Sequence, residues 1–455
     1  MNRLTMYPAK TYQTFEHFGV SGAWWAQVVG GWTEPDPASG LPKRERIAEL
    51  LFDREKGIGV RCYRYNLGGG SARSGKGDFS MECRRAESFD TDDGGYDWTR
   101  DANAVWMLKE AVKRGAEEII FFVNSPPERL TKNGMAHCGK SFTTNLDKKN
   151  YLRFARYCLD CVTHFKEEGV PIRYLSPVNE PVWKWTGGQE GCHYRPWQVR
   201  RLMRVFVDEM NARPELKDLK LSGAENGDIR WFNKTYCRLL LKDPAIRAKL
   251  DAVDTHSYFV TPDWLRPFAG DRLPFLRRYR RWMDRRFPGV PLKTSEWTHM
   301  QGGRDRGMDS ALEQTKIMME DLTVLNVVSW QLWIAVSDVD YCDGLIYINE
   351  DRTYELTKRY SAFGQFSKYI VPGSVRVRTE AGQGLTAVGF LSEDRLLAVV
   401  ANPTDTAIAL RLPAGAAEIC ITDEARDLMP VPAGEVLTLP AKSVATVIVE
   451  EGAAG

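Results

Sequence analysis

The stretch Ile172-Arg-Tyr-Leu-Ser-Pro-Val-Asn-Glu-Pro181 is a short apolar strand that runs into a glutamate held between two prolines. Proline ends regular structure on either side of Asn179-Glu180, so we expect this carboxyl group at a strand tip. An Asn-Glu-Pro turn alone is common. A second stretch, Pro291-Leu-Lys-Thr-Ser-Glu-Trp297, has the same form. Two strand-end carboxylates beside indoles predict acid/base and nucleophile chemistry on a carbohydrate.

Apolar strands and amphipathic helices alternate on both sides of these stretches. Within 147–168, for example, Tyr151, Phe154 and Cys158 recur at a spacing typical of a helix with one buried face. The predicted strands are 18–25, 57–66, 118–123, 172–176, 219–225, 252–257, 291–296 and 327–333. The predicted helices are 43–56, 101–115, 147–168, 196–213, 229–249, 273–287, 309–325 and 355–369.

This alternation is the pattern of an α/β fold, a (β/α)8 TIM barrel. The active site of such a barrel is built at the carboxyl ends of its strands, and the two glutamates follow the fourth and seventh predicted strands. From about residue 371 the pattern changes to short alternating strands separated by Gly, Pro and Asp turns, which predicts an all-β sandwich. We therefore predict a catalytic barrel over 16–370 and a β-sandwich side domain formed by 1–15 plus 371–455.

Composition and charge narrow the function classes. The 455 residues are 43% hydrophobic, and 62 basic against 60 acidic residues give a net charge of +2. This balance predicts no nucleic-acid partner and no anionic membrane partner, and no apolar run is long enough for a membrane helix. The first residues show no apolar leader region, and nine scattered cysteines fit reduced thiols. We expect a cytoplasmic protein, or a secreted one if a leader has been removed; the oligomeric state stays open.

Motifs for other chemistries are weak. Cys158-x-x-Cys161 lies in a helical pattern without a second such pair, the six histidines lack a metal-ligand spacing, and no GxSxG elbow occurs. Gly70-Ser-Ala-Arg-Ser-Gly-Lys76 is similar to a phosphate-binding loop, but Gly77 stands where such a loop needs Ser or Thr. We interpret it as a loop near the barrel mouth and predict no metal site.

Indoles concentrate at or near the predicted strand ends. Indole rings stack on the C–H faces of sugars, although a single tryptophan is more often part of a core. We expect about half of this set to line a cleft. The set is Trp24, Trp25, Trp183, Trp185, Trp297, Trp330 and Trp333.

These features together resemble glycoside hydrolase family 30 of clan A over nearly the whole chain. The similarity rests on stretches at five predicted strand ends. They are Gly57-Ile-Gly-Val-Arg-Cys-Tyr-Arg-Tyr-Asn66, Asn124-Ser-Pro-Pro127, Ser176-Pro-Val-Asn-Glu-Pro181, Asp254-Thr-His-Ser-Tyr258 and Thr294-Ser-Glu-Trp297.

The resemblance implies a role for each matching residue. Glu180 is similar in position to the general acid/base of the family and Glu296 to its nucleophile. Asn179 would bind the 2-hydroxyl of the reacting sugar, and Arg64 and Tyr258 would keep the nucleophile ionised and aimed. The remaining substrate-binding candidates are His256, Trp330, Trp183 and Trp25. No metal or organic cofactor is implied.

The resemblance also suggests a substrate. Asn124-Ser-Pro-Pro127 and Gly188-Gln-Glu-Gly-Cys-His193 are most similar to the endo-β-1,6-galactanase group of the family. The implied function is retaining hydrolysis of β-1,6-galacto-oligosaccharides or galactan by double displacement. The alternatives are another specificity of this family (xylan, β-1,6-glucan or a β-glucoside), a transglycosylase with the same residues, and a non-catalytic carbohydrate-binding protein.

Overall fold

The computed structural model describes residues 1–140, 143–229, 233–258, 272–393 and 395–450. The chain divides into two compact units. The barrel-type unit contains Val20–Ala48 and Cys62–Trp297, and the other unit contains Met1–Gly19, Glu49–Arg61 and Thr298–Gly455. Each unit is described separately.

Parallel strands form the centre of the barrel-type unit. Arg64 lies opposite Ile120 in the first pair of strands, Ile120 lies opposite Tyr174 in the next pair, and Thr255 lies opposite Thr294 further along. Because all these pairs are parallel, their carboxyl ends meet at one edge. The strands are Cys62–Asn66, Glu118–Phe122, Ile172–Ser176, Lys220–Leu221, Ala224–Asn226, Val253–His256 and Leu292–Glu296.

Helices separate these strands along the chain. In Tyr151–Glu167 the predicted apolar positions Phe154, Cys158 and Phe165 are buried, which explains why this segment is a helix with one core-facing side. The α-helices with residues in this unit are Ala26–Val29, Lys43–Phe52, Ser71–Ser74, Ala102–Lys113, Tyr151–Glu167, Pro196–Asn211, Asn233–Leu241, Pro244–Lys249 and Leu273–Arg286. The short 3₁₀ turns are Glu82–Arg84, Glu128–Leu130, Lys148–Asn150 and Pro214–Leu216.

The other unit carries an antiparallel sheet. Its strands, in spatial order, are Thr5–Thr14, Val375–Glu380, Thr386–Ser392, Arg395–Asn402, Ser443–Val449, Ala416–Thr422 and Met429–Val431. A smaller sheet contains Asn2–Arg3, Ile408–Arg411 and Val436–Leu439. Val400 and Val447 from the large sheet share one apolar core with Leu410 and Leu439 from the small one. Two sheets around one core make a β-sandwich.

The strand Thr5–Thr14 pairs with Val375–Glu380, so the N-terminal segment has the partner that the sequence led us to expect. The remaining strands along the chain are His17–Ser21, Val327–Leu332, Val336–Ser337, Ile346–Ile348 and Tyr354–Leu356. The remaining helices are Met308–Glu320, the π-type turn Asp321–Leu325 and Lys358–Ser367. The fold class is therefore a (β/α)8 barrel with an additional all-β domain, as predicted. The exact domain limits, 16–370 and 1–15 with 371–455, stay a prediction.

Several predicted elements differ in detail. The strand predicted over 18–25 ends at Ser21, and Ala26–Val29 forms a helix. In the helix predicted over 229–249, residues 230–232 lie outside the described residues, and the described part is divided because Asp243 caps a new helix whose first residue is Pro244. The side chain of Asp101 makes no cap hydrogen bond and instead accepts one from the Tyr65 hydroxyl at 2.5 Å. Among the described residues, no helix combines the length and the apolar character needed to cross a membrane.

Candidate active site

Both predicted catalytic glutamates lie at the carboxyl edge of the parallel strands. Glu180 follows the strand Ile172–Ser176, and Glu296 is the last residue of Leu292–Glu296. Their side chains are 12% and 7% exposed. One carboxylate oxygen of Glu180 lies within 4.8 Å of one of Glu296. Two nearly buried carboxyl groups are thus close enough to act on one sugar.

Glu296 is surrounded by groups that favour its ionised form. Arg64 Nη1 lies 2.6 Å from Glu296 Oε2, the Tyr258 hydroxyl donates to Oε1 at 3.2 Å, and His256 Nδ1 lies 3.3 Å from Oε1. Burial alone would raise the pKa of Glu296, but His256 and Arg64 outweigh it and hold that pKa below its usual range. An ionised carboxylate in this place can attack an electrophilic carbon.

Glu180 has the opposite tendency. Burial raises its pKa, and the charge of Glu296 adds to the rise, whereas hydrogen bonds from His256 and the Trp183 indole oppose it. A carboxyl group with a raised pKa is suited to act as a general acid. Burial is thus the main cause of the raised pKa of Glu180, and the indole N–H of Trp183 acts in the other direction.

The backbone at Glu180 is constrained. Its φ is 42°, which is uncommon for a residue other than glycine, and its N–H donates to Glu225 O at 2.8 Å. The carboxyl group lies directly over Gly227, where an added Cβ would come within 2.3 Å of Glu180 Oε1. A side chain at position 227 would therefore displace the acid.

Asn179 is fixed by a chain of side-chain hydrogen bonds. Its Oδ1 accepts from Arg64 Nη2 at 2.9 Å, and its Nδ2 donates to Asn124 Oδ1 at 3.0 Å. Asn124 in turn donates to Asn66 Oδ1 at 3.3 Å. Arg64 therefore contacts both Asn179 and Glu296, and its guanidinium also lies 3.9 Å from the centre of the Phe122 ring. Asn124 belongs to one of the stretches that carry the family resemblance, but we predicted no role for it from the sequence.

Glu225 is a third carboxylate at the same edge, and the sequence analysis gave it no function. It is fully buried, and its Oε2 lies 3.0 Å from His256 Nε2 and 3.6 Å from Arg64 Nη2. Burial would raise the pKa of Glu225, but Arg64 and His256 hold it well below its usual range. Its place at the end of a predicted barrel strand is the signal that could have identified it.

The three tryptophans predicted to bind substrate differ in their surroundings. Trp183 is half-buried and donates to Glu180. Trp25 is buried, donates to Ser21 O at 2.8 Å and packs edge-on against Tyr63, so little of its ring is open to a ligand. Trp330 is buried in the other unit, where its indole donates to Asp321 at 3.0 Å. The substrate-binding roles of Trp25 and Trp330 stay predictions.

The donors of the glycine-rich loop around Gly70 bind a carboxylate of the same protein. Gly69 N–H and the Ser71 hydroxyl donate to the carboxylate of Glu190 at 2.8 and 2.6 Å, and burial raises the pKa of Glu190 to about 7. A buried acid at these donors disfavours a phosphate, in agreement with our interpretation of this loop.

One cluster near the reacting groups has the donor types of a metal site, namely Glu180, His256 and Glu296. Arg64 already supplies positive charge at Glu296, and glycoside hydrolysis by two carboxylates requires no ion. The absence of a cofactor therefore stays a prediction.

Comparisons with known proteins found similar sequences and structures. The sequence profile of O-glycosyl hydrolase family 30 matches residues 2–264 and 291–347. An endo-β-1,6-galactanase of Hypocrea rufa is 27% identical over 236 residues, which cover 46% of this chain and 47% of that protein. An exo-β-1,6-galactobiohydrolase of Bifidobacterium longum is 26% identical over 235 residues, which cover 40% of this chain and 15% of that protein. The chain thus spans about half or less of these relatives.

A solved structure extends the likeness in fold over the whole chain. A conserved exported protein from Bacteroides fragilis superposes with a TM-score of 0.85 at 23% identity, covering 98% of this chain and 100% of that one.

Proposed function

The chain belongs to O-glycosyl hydrolase family 30, and from this premise we propose that it hydrolyses β-linked galacto-oligosaccharides with retention of anomeric configuration. Family membership implies a carbohydrate substrate. The observation that carries the mechanism is the short separation of Glu180 and Glu296: one carboxylate oxygen of Glu180 lies within 4.8 Å of one carboxylate oxygen of Glu296. Retaining enzymes place their carboxyl groups about 5–5.5 Å apart, whereas inverting enzymes leave about 6.5–9.5 Å for a water molecule.

In the first step, Glu296 attacks the anomeric carbon while Glu180 gives its proton to the departing glycosidic oxygen. The bond between that oxygen and the anomeric carbon breaks, and a glycosyl ester of Glu296 forms. In the second step, Glu180 is ionised and takes a proton from water, which attacks the same carbon and releases Glu296. The raised pKa of Glu180 and the lowered pKa of Glu296 suit these two roles.

Other residues of the site support this reaction. Arg64 donates to one oxygen of the Glu296 carboxylate and Tyr258 donates to the other, so the carboxylate is held in one orientation. Asn179, fixed by Arg64 and Asn124, presents its amide to the 2-hydroxyl of the reacting sugar. Trp183, beside Glu180, offers an indole face to a sugar ring.

The first-formed product tests the mechanism. Proton NMR during hydrolysis of a β-linked substrate should show the β-anomer before mutarotation. An initial α-anomer would contradict double displacement. Binding of the sugar with no hydrolysis of any β-linked substrate would instead favour the alternative of a carbohydrate-binding protein.

The choice of β-1,6-linked galactose rests on two observations. The segments Asn124–Pro127 and Gly188–His193 are similar to those of galactanases, and two relatives with detectable sequence identity act on β-1,6-linked galactose according to their names. A site that hydrogen-bonds the axial 4-hydroxyl of galactose leaves a buried group unpaired with glucose, at a cost of about 1–3 kcal/mol.

The substrate test compares kcat/KM for three matched sets, namely β-1,6-galactobiose and -triose, the corresponding gluco-oligosaccharides, and xylo-oligosaccharides. We expect the galacto-oligosaccharides to be preferred by about 10-fold or more. A preference for either of the other sets would overturn the substrate while leaving the retaining mechanism in place.

A further inference from the structure

The buried carboxylate of Glu225 makes polar contacts with four side chains among the described residues. Its Oε2 accepts from Ser295 Oγ at 2.5 Å and lies 3.0 Å from His256 Nε2, and its Oε1 accepts from Ser222 Oγ at 2.9 Å. Arg64 Nη2 is 3.6 Å from Oε2. Burial would raise the pKa of Glu225, but the charge of Arg64 and the hydrogen bond from the Ser295 hydroxyl help to hold it well below its usual range, so the carboxylate is ionised and acts only as an acceptor.

The contact with Glu225 determines which ring nitrogen of His256 always carries a hydrogen. Because an ionised carboxylate cannot donate, the contact with Glu225 requires a hydrogen on Nε2. The other nitrogen, Nδ1, lies 3.0 Å from Glu180 Oε1 and 3.3 Å from Glu296 Oε1. Nδ1 is therefore the atom at which a proton is exchanged with the carboxyl group of Glu180.

We propose that Glu225 is a positioning residue, which holds His256 in the tautomer with hydrogen on Nε2 so that Nδ1 and Glu180 share the proton used for catalysis. The proposal rests on the proposed function, because it assigns Glu180 as the acid/base. Either His256 is the imidazolium and Glu180 is ionised, or His256 is neutral and Glu180 donates to Nδ1. Both forms have the same total charge and differ only in the position of one proton.

The main chain of Glu225 supports the same arrangement. Its carbonyl oxygen accepts the N–H of Glu180 at 2.8 Å, so one residue orients both members of the proton-sharing pair. Its own φ is 52°, again uncommon outside glycine. Strain at two consecutive members of one hydrogen-bond network is typical of a functional site.

The charge of Glu225 gives the proposal a measurable consequence. The shared proton leaves the pair of Glu180 and His256 at high pH, and a nearby negative charge makes that loss harder. Removing the charge of Glu225 should therefore move the basic limb of the pH profile to lower pH. Among the described residues, the charged and titratable groups that interact with the Glu225 carboxylate are Arg64, His256 and Asp254, and the carboxyl groups of Glu180 and Glu296 lie on the other side of the His256 ring, at Nδ1.

Asp254 needs its own control, since burial and the charge of Glu225 raise its pKa to about 7. Its Oδ2 accepts from Gly223 N–H at 3.0 Å. An observed limb near neutral pH could then belong to Asp254 rather than to the proton-sharing pair. Asp254→Asn removes this group without touching Glu225.

The first experiment measures kcat/KM against pH for wild type, Glu225→Gln, Asp254→Asn and Ser222→Ala. In Glu225→Gln, which keeps the shape of the side chain, we expect the basic limb to fall by about one pH unit or more. We also expect a loss mainly in kcat, since Glu225 is fully buried and out of reach of a ligand. Ser222→Ala removes the hydroxyl that hydrogen-bonds to Glu225 and Asp254 but retains the charge of Glu225, so the basic limb of its pH profile should stay in place. The basic limb of Asp254→Asn should stay in place as well. A basic limb that is unchanged in Glu225→Gln, or that moves equally in Asp254→Asn, would overturn the proposal.

The second experiment needs no activity. The ¹⁵N shifts of the His256 ring, assigned by their loss in a His256→Asn sample, should show a protonated Nε2 in wild type across the neutral range. In Glu225→Gln the side-chain amide can donate to Nε2, and the signature of a fixed Nε2–H should be lost. An unprotonated Nε2 in wild type would refute the proposal even if the enzyme is active. Absence of hydrolysis on every β-linked substrate, with the expected ¹⁵N signature present, would instead refute the proposed function.

Discussion

Two ion pairs of almost equal length lie in very different parts of the molecule. In the barrel-type unit, Arg64 is 2.6 Å from Glu296, and these side chains are 1% and 7% exposed. In the other unit, Arg54 is 2.8 Å from Glu393, and these are 39% and 44% exposed. The geometry of the contact is therefore no guide to its importance, which depends on the surroundings.

The difference follows from the cost of removing a charge from water. A buried pair gains little net stability, but loss of one partner leaves an unpaired buried charge at a cost of about 3–5 kcal/mol. An exposed pair is screened and contributes about 0–1 kcal/mol. Around Glu296 the protein thus maintains a charged network whose value lies in chemistry, whereas the antiparallel sheets are stabilised by apolar contacts.

The largest effect should follow from removing the nucleophile. Glu296→Gln keeps the size of the side chain but prevents formation of the glycosyl ester, so kcat should fall by about 10⁴-fold or more on every substrate. Steady-state kinetics with an aryl β-galactoside and with β-1,6-galactobiose would measure it. The matched control is Glu418→Gln, an exposed glutamate on the antiparallel sheet, which should retain full activity. Comparable turnover in Glu296→Gln would contradict the assigned role.

The acid/base should show a smaller and more selective effect. Glu180→Gln should reduce kcat/KM by about 10²–10⁴-fold on a galacto-oligosaccharide, whose leaving oxygen needs a proton. With a dinitrophenyl leaving group, the first step should be nearly as fast as in wild type, and pre-steady-state release of dinitrophenolate would measure it. If Glu180→Gln and Glu296→Gln lose this activated substrate equally, the two roles are not distinct.

Much of the barrel could be predicted because its pattern follows from burial. Amphipathic helices alternate with short strands that are buried at nearly every position, as expected of elements that cover one core. The prolines beside Glu180 mark the end of its strand. Features fixed by distant contacts could not be predicted. Asp101 precedes a helix and is of a residue type that often caps one, but its side chain accepts a hydrogen bond from the Tyr65 hydroxyl instead of from the helix backbone. The place of Glu225 at a strand end could be predicted, but its contact with His256 is seen only in the folded chain.

The sandwich was predicted less completely for a related reason. Ala416–Thr422, Met429–Val431 and Val436–Leu439 are short or only partly buried, so their sequences give a weak strand signal. In Ala416–Thr422 the first half is open to solvent and only the second half is buried, so neither period dominates. Pairing with Ser443–Val449, rather than local pattern, makes this segment a strand.

A core substitution in the sandwich should change stability without changing chemistry. Leu410 is fully buried in the apolar core between the two sheets, and Leu410→Ala should lower the free energy of unfolding by about 2–5 kcal/mol. Val436→Ala, on the neighbouring strand but exposed, should change it by less than about 0.5 kcal/mol. Chemical denaturation monitored by far-UV circular dichroism would compare them. A reduced kcat in folded Leu410→Ala would break the separation between a stabilising region and a catalytic one.

The smallest effect should come from the exposed ion pair. Arg54 and Glu393 form two parallel hydrogen bonds, of 3.1 and 2.8 Å, and Arg54 lowers the pKa of Glu393. That geometry is favourable, but both side chains lose rotamer freedom when they pair, and water and salt weaken the attraction. A double-mutant cycle with Arg54→Met and Glu393→Gln should give a coupling of about 0.2–1 kcal/mol, which declines between low salt and about 1 M salt as screening increases. Activity should be unaffected throughout. A coupling as large as that of a buried pair, or one insensitive to salt, would mean that exposure does not explain the contrast with Arg64 and Glu296.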